Sequence, residues 1–531
     1  MYDILMKNGL VVDGTGRPAY PADVAVKDGK IAKIAPDILD AAEEIIDTAG
    51  LVVAPGFIDC HNHSDNYVFV GSDAYNYLEQ GVTTQICGNC GETPVPYYSG
   101  TLGWLKDVQE RQRCAEMAAT PASFMDGAKN TSFGVNMALF LGHGAVRGNV
   151  MGYDPAEPNE KQLEAMCDWV RQAMECGYLG YSSGLIYAPS AYAQTPELIR
   201  LAKAMAPYGG IYASHIRNEG DGVVAAVEEA IRIGEEAGVQ VQISHLKVMG
   251  KHNEGLSEKL LELIENANAR GVRVFADQYP YEASAASLRS RIPSQYHEGG
   301  ISALLERLKD PAVRQKIDQA VFGVEGCVSG VSPIASEDIL ISGLKTNPEY
   351  VGMTLAQVAR QTGRSAVDAL CDLLIQNAGR GQGIYYNQSR SDIHRILASK
   401  WVFGGSDSSN LPDQRMDPDT RFGSHPRTTG ALVRRLQLQR ELNLMSMEEA
   451  IHRVTGGPAA ALGLRDQGIL REGVPANVTV LDYKNLRAHS SFEYPHRKNE
   501  GICFVLVNGT VAVRNGCCTG SRTGKLIQKN G

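Results

Sequence analysis

Apolar positions along this chain fall into two rhythms. Near the N-terminus, short apolar runs alternate with turn dipeptides. Ile4-Leu5-Met6 leads to Asn8-Gly9, Leu10-Val11-Val12 to Asp13-Gly14, and 22–26 to Asp28-Gly29 before Ile31-Ala32-Lys33-Ile34. Asn-Gly and Asp-Gly between apolar runs predict hairpins. The C-terminal stretch repeats the pattern, with strand-like runs at 477–481 and 504–513. The two β-rich ends predict one small β-sandwich domain assembled from residues 1–54 and 465–531.

The middle of the chain behaves differently. Strand-like runs at 81–86, 180–183, 210–214, 239–244 and 272–277 are separated by amphipathic stretches such as 222–237 and 257–270. This alternation predicts βαβ units and a parallel sheet. Over the span 55–464 the economical closure is an α/β barrel of the (β/α)8, TIM-like kind. Residues 288–347 break the rhythm and predict an inserted, lid-like subdomain.

The apolar run 51–54, the Pro55-Gly56 break and Phe57-Ile58 predict a strand leading into that barrel, with His61 and His63 at its end. Residues two apart in an extended strand share a face, so both imidazoles can reach one point. Neutral imidazole is the commonest ligand for a catalytic divalent metal. An isolated pair of this spacing is as often a packing feature; the apolar strand before it and Asp65 after it favour the metal. A barrel carries its active site at the C-terminal ends of its strands. The polar residues that follow the other strand-like runs are Cys87 and Cys90, His215, His245 with Lys247, and Asp407. Either later histidine alone reads equally well as a core residue; their recurrence at strand ends does not. Imidazole, thiolate and carboxylate together suit zinc.

Composition narrows the classes. A chain of 531 residues exceeds one core of ordinary size. Its net charge of -9, with no basic cluster, argues against a nucleic-acid partner. An acid stands at position 3, and no stretch approaches the roughly 20 apolar residues of a membrane span. Eleven cysteines without regular spacing suit a reducing compartment better than a disulfide framework. A cytoplasmic enzyme acting on a small molecule is expected.

The motifs then converge on a family. PGFIDCHNHSD at 55–65, GVTTQICGNCG at 81–91, GYSSGLIYAPSAYAQTPEL at 180–198, YASHIRNEGDGV at 212–223 and ISHLKVMG at 243–250 resemble the amidohydrolase superfamily, and within it the N-acyl-D-amino-acid deacylases. DQYPYEASAAS at 277–287, GGSDSSNLP at 404–412, HPRTTG at 425–430 and REGVPANVTVLD at 471–482 extend the resemblance over nearly the whole chain. The resemblance implies one tightly held zinc on Cys90, His215 and His245. It implies a second, weaker metal position among His61, His63 and Asp407. Asp407 is the implied general base and acid, and Arg427, Lys247, Tyr281 and Ser287 are the implied contacts to the substrate carboxylate. Read without it, Lys247 and Arg427 are surface charges, Tyr281 is a packed aromatic and Ser287 a helix cap.

Hydantoinases and dihydroorotases carry a carboxylated lysine after an intermediate strand, and the stretch 180–184 has none. A cyclic-amide hydrolase is therefore the alternative, and a non-catalytic scaffold on the same fold the more distant one. Side-chain specificity stays open: the resemblance accommodates neutral D-amino acids such as methionine, leucine or alanine, and an acidic side chain would require a further cation, for which Arg289 and Arg217 are candidates. Cys87 is expected to be a packed thiol. His143, after the apolar run ending at Leu141-Gly142, is a possible site residue. His425 has no assigned role, and His252, His297, His394, His452, His489 and His496 are expected to be surface or packing residues.

Overall fold

The first turn dipeptide does not turn the chain. In the computed structural model, which describes residues 1–98, 108–323, 332–411 and 417–529, strand β1 runs unbroken from Tyr2 to Val11. Asn8-Gly9 forms a bulge within it, with Asn8 at φ 64° and the register against β2 shifting between Met6 and Gly9. The bulge lets one strand serve two neighbours. Its first half pairs with β4 (Ala42–Asp47) and its end with β5 (Val52–Pro55). Asp28-Gly29 does form the expected two-residue turn, both residues at positive φ, between β2 (Tyr20–Lys27) and β3 (Lys30–Ala35).

The barrel follows. Its parallel strands are β6 (Phe57–Asp59), β7 (Val82–Cys87), β8 (Asn136–Gly142), β9 (Gly180–Gly184), β10 (Ile211–His215), β11 (Gln240–Ile243) and β12 (Val274–Gln278). β16 (Val402–Gly404) pairs with β12 as the eighth. The seam between β16 and β6 is closed by Cys60 N–H on the Gly404 carbonyl at 3.0 Å and Asp407 N–H on the His61 carbonyl at 2.8 Å. β7, β8 and β9 are buried along their whole length, as strands covered on both faces must be.

Between β12 and β16 the chain builds a three-stranded antiparallel sheet in the order β13 (Ser284–Ser287), β15 (Gln382–Tyr385), β14 (Ile339–Gly343). The expected bounds of 288–347 are too short for this unit. Its apolar cluster begins at Leu288 and runs on to Tyr385, taking in Leu355, Val358, Leu370 and Leu374. The helices Leu355–Thr362 and Ala366–Gln376 have the amphipathic spacing of barrel helices but pack on this sheet. Residues 324–331 of the expected segment lie outside the described residues.

The C-terminal strands β17 (Val478–Leu481), β18 (Ile502–Val507), β19 (Thr510–Arg514) and β20 (Cys517–Cys518) continue the N-terminal sheet, because β17 pairs with β5. The nine strands form one sheet that folds over itself. Ile4 and Met6 of β1, Val24 and Val26 of β2, and Val478 and Val480 of β17 share a single apolar cluster. Beyond it, Ile527 N–H reaches the Met137 carbonyl at 2.7 Å, tying the tail to β8. No helix among the described residues is long and apolar enough to cross a membrane.

Candidate metal centre

Three ligand candidates sit on strained backbone. Cys90, His245 and Asp407 adopt φ of 55°, 37° and 50°, a region that costs a non-glycine residue about 1–3 kcal/mol and is found mainly where tertiary structure enforces it. Two buried carboxylates fix His245 and the segment leading into Asp407. Asp59, at the end of β6, accepts from His61 N–H at 3.2 Å, Ser406 N–H at 2.7 Å and Ser406 Oγ at 2.6 Å, so it fastens the β6 and β16 ends together. Burial pushes its carboxyl up to about 6. Asp277, at the end of β12, accepts from His245 N–H at 2.9 Å and lies 3.1 Å from His61 Nδ1.

With Nδ1 on Asp277, the other nitrogen of His61 points inward. His61 Nε2 is 3.3 Å from Cys90 Sγ and 3.5 Å from Asp407 Oδ1, and His63 Nε2 is 3.1 Å from the same oxygen. On the other side of the thiol, His245 Nε2 is 3.4 Å from Cys90 Sγ and 2.8 Å from His215 Nδ1. Two ligand groups result, His61, His63, Cys90 and Asp407 in one and Cys90, His215 and His245 in the other, the donor atoms of each lying within 4.8 Å of one another. Cys90 belongs to both. One thiol, four imidazoles and one carboxylate, converging at strand ends, fit a divalent metal of zinc's ligand preference.

The charges are arranged to suit such an ion. Burial holds His215 well below the usual imidazole range, and burial with the Lys247 ammonium lowers His245, so both rings are neutral and able to ligate. Burial raises the Cys90 thiol well above its ordinary value. Burial alone would also raise Asp407, but the Arg427 charge and the hydrogen bond from His63 outweigh it and hold the carboxyl well below the usual range. Arg427 Nη1 stands 2.7 Å from Asp407 Oδ2, close enough for an ion pair although not aligned as a hydrogen bond.

A cavity opens over this centre. Tyr187, His215, His245, Lys247 and Asp407 line its barrel side, while Ser284, Ser290, Arg291, Ser332 and Tyr385 line the side built by the insertion. Lys247, expected from the sequence to contact the substrate, does face this cavity. Tyr281 and Ser287 do not. The Tyr281 hydroxyl donates to the Pro426 carbonyl at 3.3 Å, and its ring packs on His425 and Phe492. Ser287 Oγ accepts from Arg289 N–H and caps the short helix Leu288–Arg291. Tyr279 and Ser284 face the cavity instead, with Arg427 stacked 4.5 Å over the Tyr279 ring. The physical reason is a tight turn at Pro280, where Tyr281 N–H bonds the Tyr279 carbonyl at 3.1 Å, so the two tyrosines diverge rather than share a strand face.

The remaining residues resolve similarly. Arg217 is paired with Glu229 at 2.8 Å, whereas Arg291, two residues past the candidate Arg289, reaches the cavity. Cys87 is buried, with Sγ 3.7 Å from Asn62 Oδ1, and belongs to neither ligand group. His143 is buried between Ser190 Oγ at 2.6 Å and Glu197 Oε1 at 3.0 Å, a structural network behind the Cys90 loop. His425 Nδ1 accepts from Arg427 N–H and its Nε2 faces the Ala283 carbonyl, which fixes the segment carrying the arginine. Asp59, Glu219 and Asp277, which hold the ligands, had no signal in spacing alone.

Residues 44–513 match the sequence profile of the amidohydrolase family. The chain belongs to that family. This amidohydrolase is 33% identical over 529 residues to a D-aminoacylase of Alcaligenes xylosoxydans xylosoxydans, covering 99% of this chain and 98% of the relative. Its structure superposes with a TM-score of 0.81 on a D-aminoacylase described with a binuclear metal centre, at 31% identity and 99% and 100% coverage. The same TM-score relates it to the N-acyl-D-glutamate deacylase of Bordetella bronchiseptica complexed with zinc and a phosphonate inhibitor, at 30% identity and 99% coverage of each chain. Likeness to a D-hydantoinase, TM-score 0.56 at 16% identity, extends to the fold alone.

Proposed function

We propose that this amidohydrolase cleaves the amide bond of N-acyl-D-amino acids, releasing a carboxylate and a free D-amino acid. The observation that carries the reading is Asp407, which presents one carboxylate oxygen to the histidine pair and the other to Arg427. A base for water and a cation for the substrate carboxylate are thereby set side by side. Full-length likeness to enzymes of this activity supports it.

Cys90, His215 and His245 would hold one metal tightly, and His61, His63 and Asp407 would surround a weaker second position. When bound, a zinc ion polarises the amide carbonyl and lowers the pKa of water. Asp407 takes the proton from the attacking water and delivers it to the departing amine nitrogen as the C–N bond breaks. Arg427 exchanges Asp407 Oδ2 for the substrate α-carboxylate, a group its planar fork suits. Lys247 and Tyr279 complete that wall, Tyr279 replacing Tyr281 and Ser284 replacing Ser287 in the roles expected from the sequence. The insertion closes the opposite side and excludes water. Cys60, Cys87, Cys90, Cys167, Cys371 and Cys503 are free thiols, in keeping with a reducing compartment, and a cytoplasmic location forms part of the proposal.

Arg291 gives the reading its side-chain preference. It is buried in the cavity wall, stacked 5.5 Å from the Tyr385 ring and donating to the Ser332 carbonyl. A cation there favours an acidic D-amino acid, glutamate or aspartate, over a neutral one. The test is amine release from N-acetyl-D-glutamate, -D-aspartate, -D-methionine and L-glutamate, with wild type and Arg291→Leu. Acidic D-substrates are expected to lead, and Arg291→Leu to lose that lead while keeping D-methionine. A wild type preferring D-methionine sinks the side-chain assignment. Hydrolysis of hydantoins without any D-amide turnover sinks the deacylase reading.

A further inference from the structure

The loop after β10 carries a carboxylate that no part of the proposed chemistry uses. Glu219 is buried and lies at the cavity wall. Asn218 fixes its position by accepting from Gly220 N–H at 2.8 Å and Gly222 N–H at 3.0 Å, while Met249 N–H bonds the Glu219 carbonyl at 2.7 Å. The carboxylate then meets three groups at once. Oε1 accepts from Lys247 Nζ and lies 3.1 Å from His245 Nδ1, and Oε2 lies 3.6 Å from His215 Nε2.

The ring nitrogens involved are the outward ones. His245 turns Nε2 and His215 turns Nδ1 toward the Cys90 group, leaving His245 Nδ1 and His215 Nε2 to carry the protons. A ligating histidine normally donates its second N–H to a carboxylate or carbonyl, which fixes tautomer and ring orientation. His215 Nε2 is buried and makes no hydrogen bond; the carboxylate it faces, at 3.6 Å, is Glu219 Oε2. Lys247 Nζ also lies 2.7 Å from His245 Nδ1; with that nitrogen protonated both groups are donors, and Glu219 Oε1, which both approach, is the acceptor they share.

We propose that Glu219 is a positioning residue that sets the tautomers of both metal-ligating histidines and anchors Lys247 in the cavity wall. The inference rests on the metal assignment proposed above. Glutamine at 219 would retain one acceptor but present an N–H2 group to an ammonium or a ring N–H, donor against donor.

The test uses the full chain loaded with zinc, wild type against Glu219→Gln and Glu219→Asp, in competition with a metal chelator. Glu219→Gln is expected to release zinc about ten- to a hundredfold more readily, with Glu219→Asp between it and wild type. Histidine 15N spectra of the zinc-loaded wild type are expected to show the proton on Nδ1 of His245 and Nε2 of His215. Unchanged zinc affinity in Glu219→Gln, or protons on the opposite nitrogens, overturns the inference while leaving the deacylase reading intact. Should the glutamine variant not fold, the wild-type spectra and the aspartate variant decide. A wild type that takes up no zinc overturns both.

Discussion

Arg427 and Asp407 are paired across the centre at 2.7 Å, so the cation proposed for the substrate is held by the carboxylate proposed as the base for water. Substrate binding must break this pair. Arg427→Lys keeps the charge and loses the fork, and kcat/KM for an N-acyl-D-amino acid is expected to fall by about 10- to 100-fold, the worth of one or two charged hydrogen bonds. Arg427→Gln also removes the main influence lowering the Asp407 carboxyl. The base must be ionised to act, so the acid limb of the kcat/KM profile should move to higher pH. A profile that does not move would separate the two residues functionally.

Metal uptake should release protons, and the number identifies their source. Burial keeps His215 and His245 low and the Cys90 thiol high, so at neutral pH the rings are already neutral and the thiol is protonated. One proton per zinc is expected from Cys90, with affinity rising about tenfold per pH unit while the thiol stays protonated in the free protein. Calorimetry in buffers of different ionisation enthalpy measures the count. In Cys90→Ser the tight uptake should be lost.

Asp59 should carve a pH signature into stability. Its folded carboxyl titrates near 6 because of burial, against about 3.9 when unfolded. Between those values the unfolded chain has released a proton that the native state still holds. Native stability therefore falls as pH rises through the window and is level above it. Relative to Asp59→Asn, metal-free wild type should lose about 3 kcal/mol between pH 4 and 6, measurable by urea unfolding at fixed pH steps. A constant difference would refute the assignment.

His143 tests the line between scaffold and site. Removing it leaves the buried Glu197 carboxylate with Arg147 alone, at 3.2 Å. His143→Ala is expected to cost about 3 kcal/mol of stability, as a broken buried pair does, with zinc stoichiometry unchanged. Loss of the metal at full stability would make it a site residue instead.

The strand ends were the readable part of this chain. A parallel barrel gathers polar residues there, so His61, His63, Cys90, His215, His245 and Asp407 could be collected one strand at a time, and the structure brings them into two groups sharing Cys90. What escaped is whatever depends on orientation after the strand stops. Tyr279 and Tyr281 obey a two-residue period on paper, yet the turn at Pro280 sends one to the cavity and the other to Pro426. Glu219 and Asp277 act through distances to residues that lie far away in sequence or around a loop. Asn8-Gly9 shows the same limit: a dipeptide fit for a hairpin became a bulge because β4 and β5 were both available to β1.

The joining of β5 to β17 has a consequence for how the protein is made. Val53 pairs with Val480, so β5, already paired with β1 on one edge, must wait for about 400 further residues before the partner for its other edge exists, roughly half a minute at ordinary rates of synthesis. Throughout that interval the inner edge of β5 is an open template for other chains. The barrel can condense as it emerges, but its sister domain waits until the end. Newly made protein should therefore depend on chaperones early in its life, and a nascent chain stalled before residue 478 should be far more prone to aggregate than one released in full.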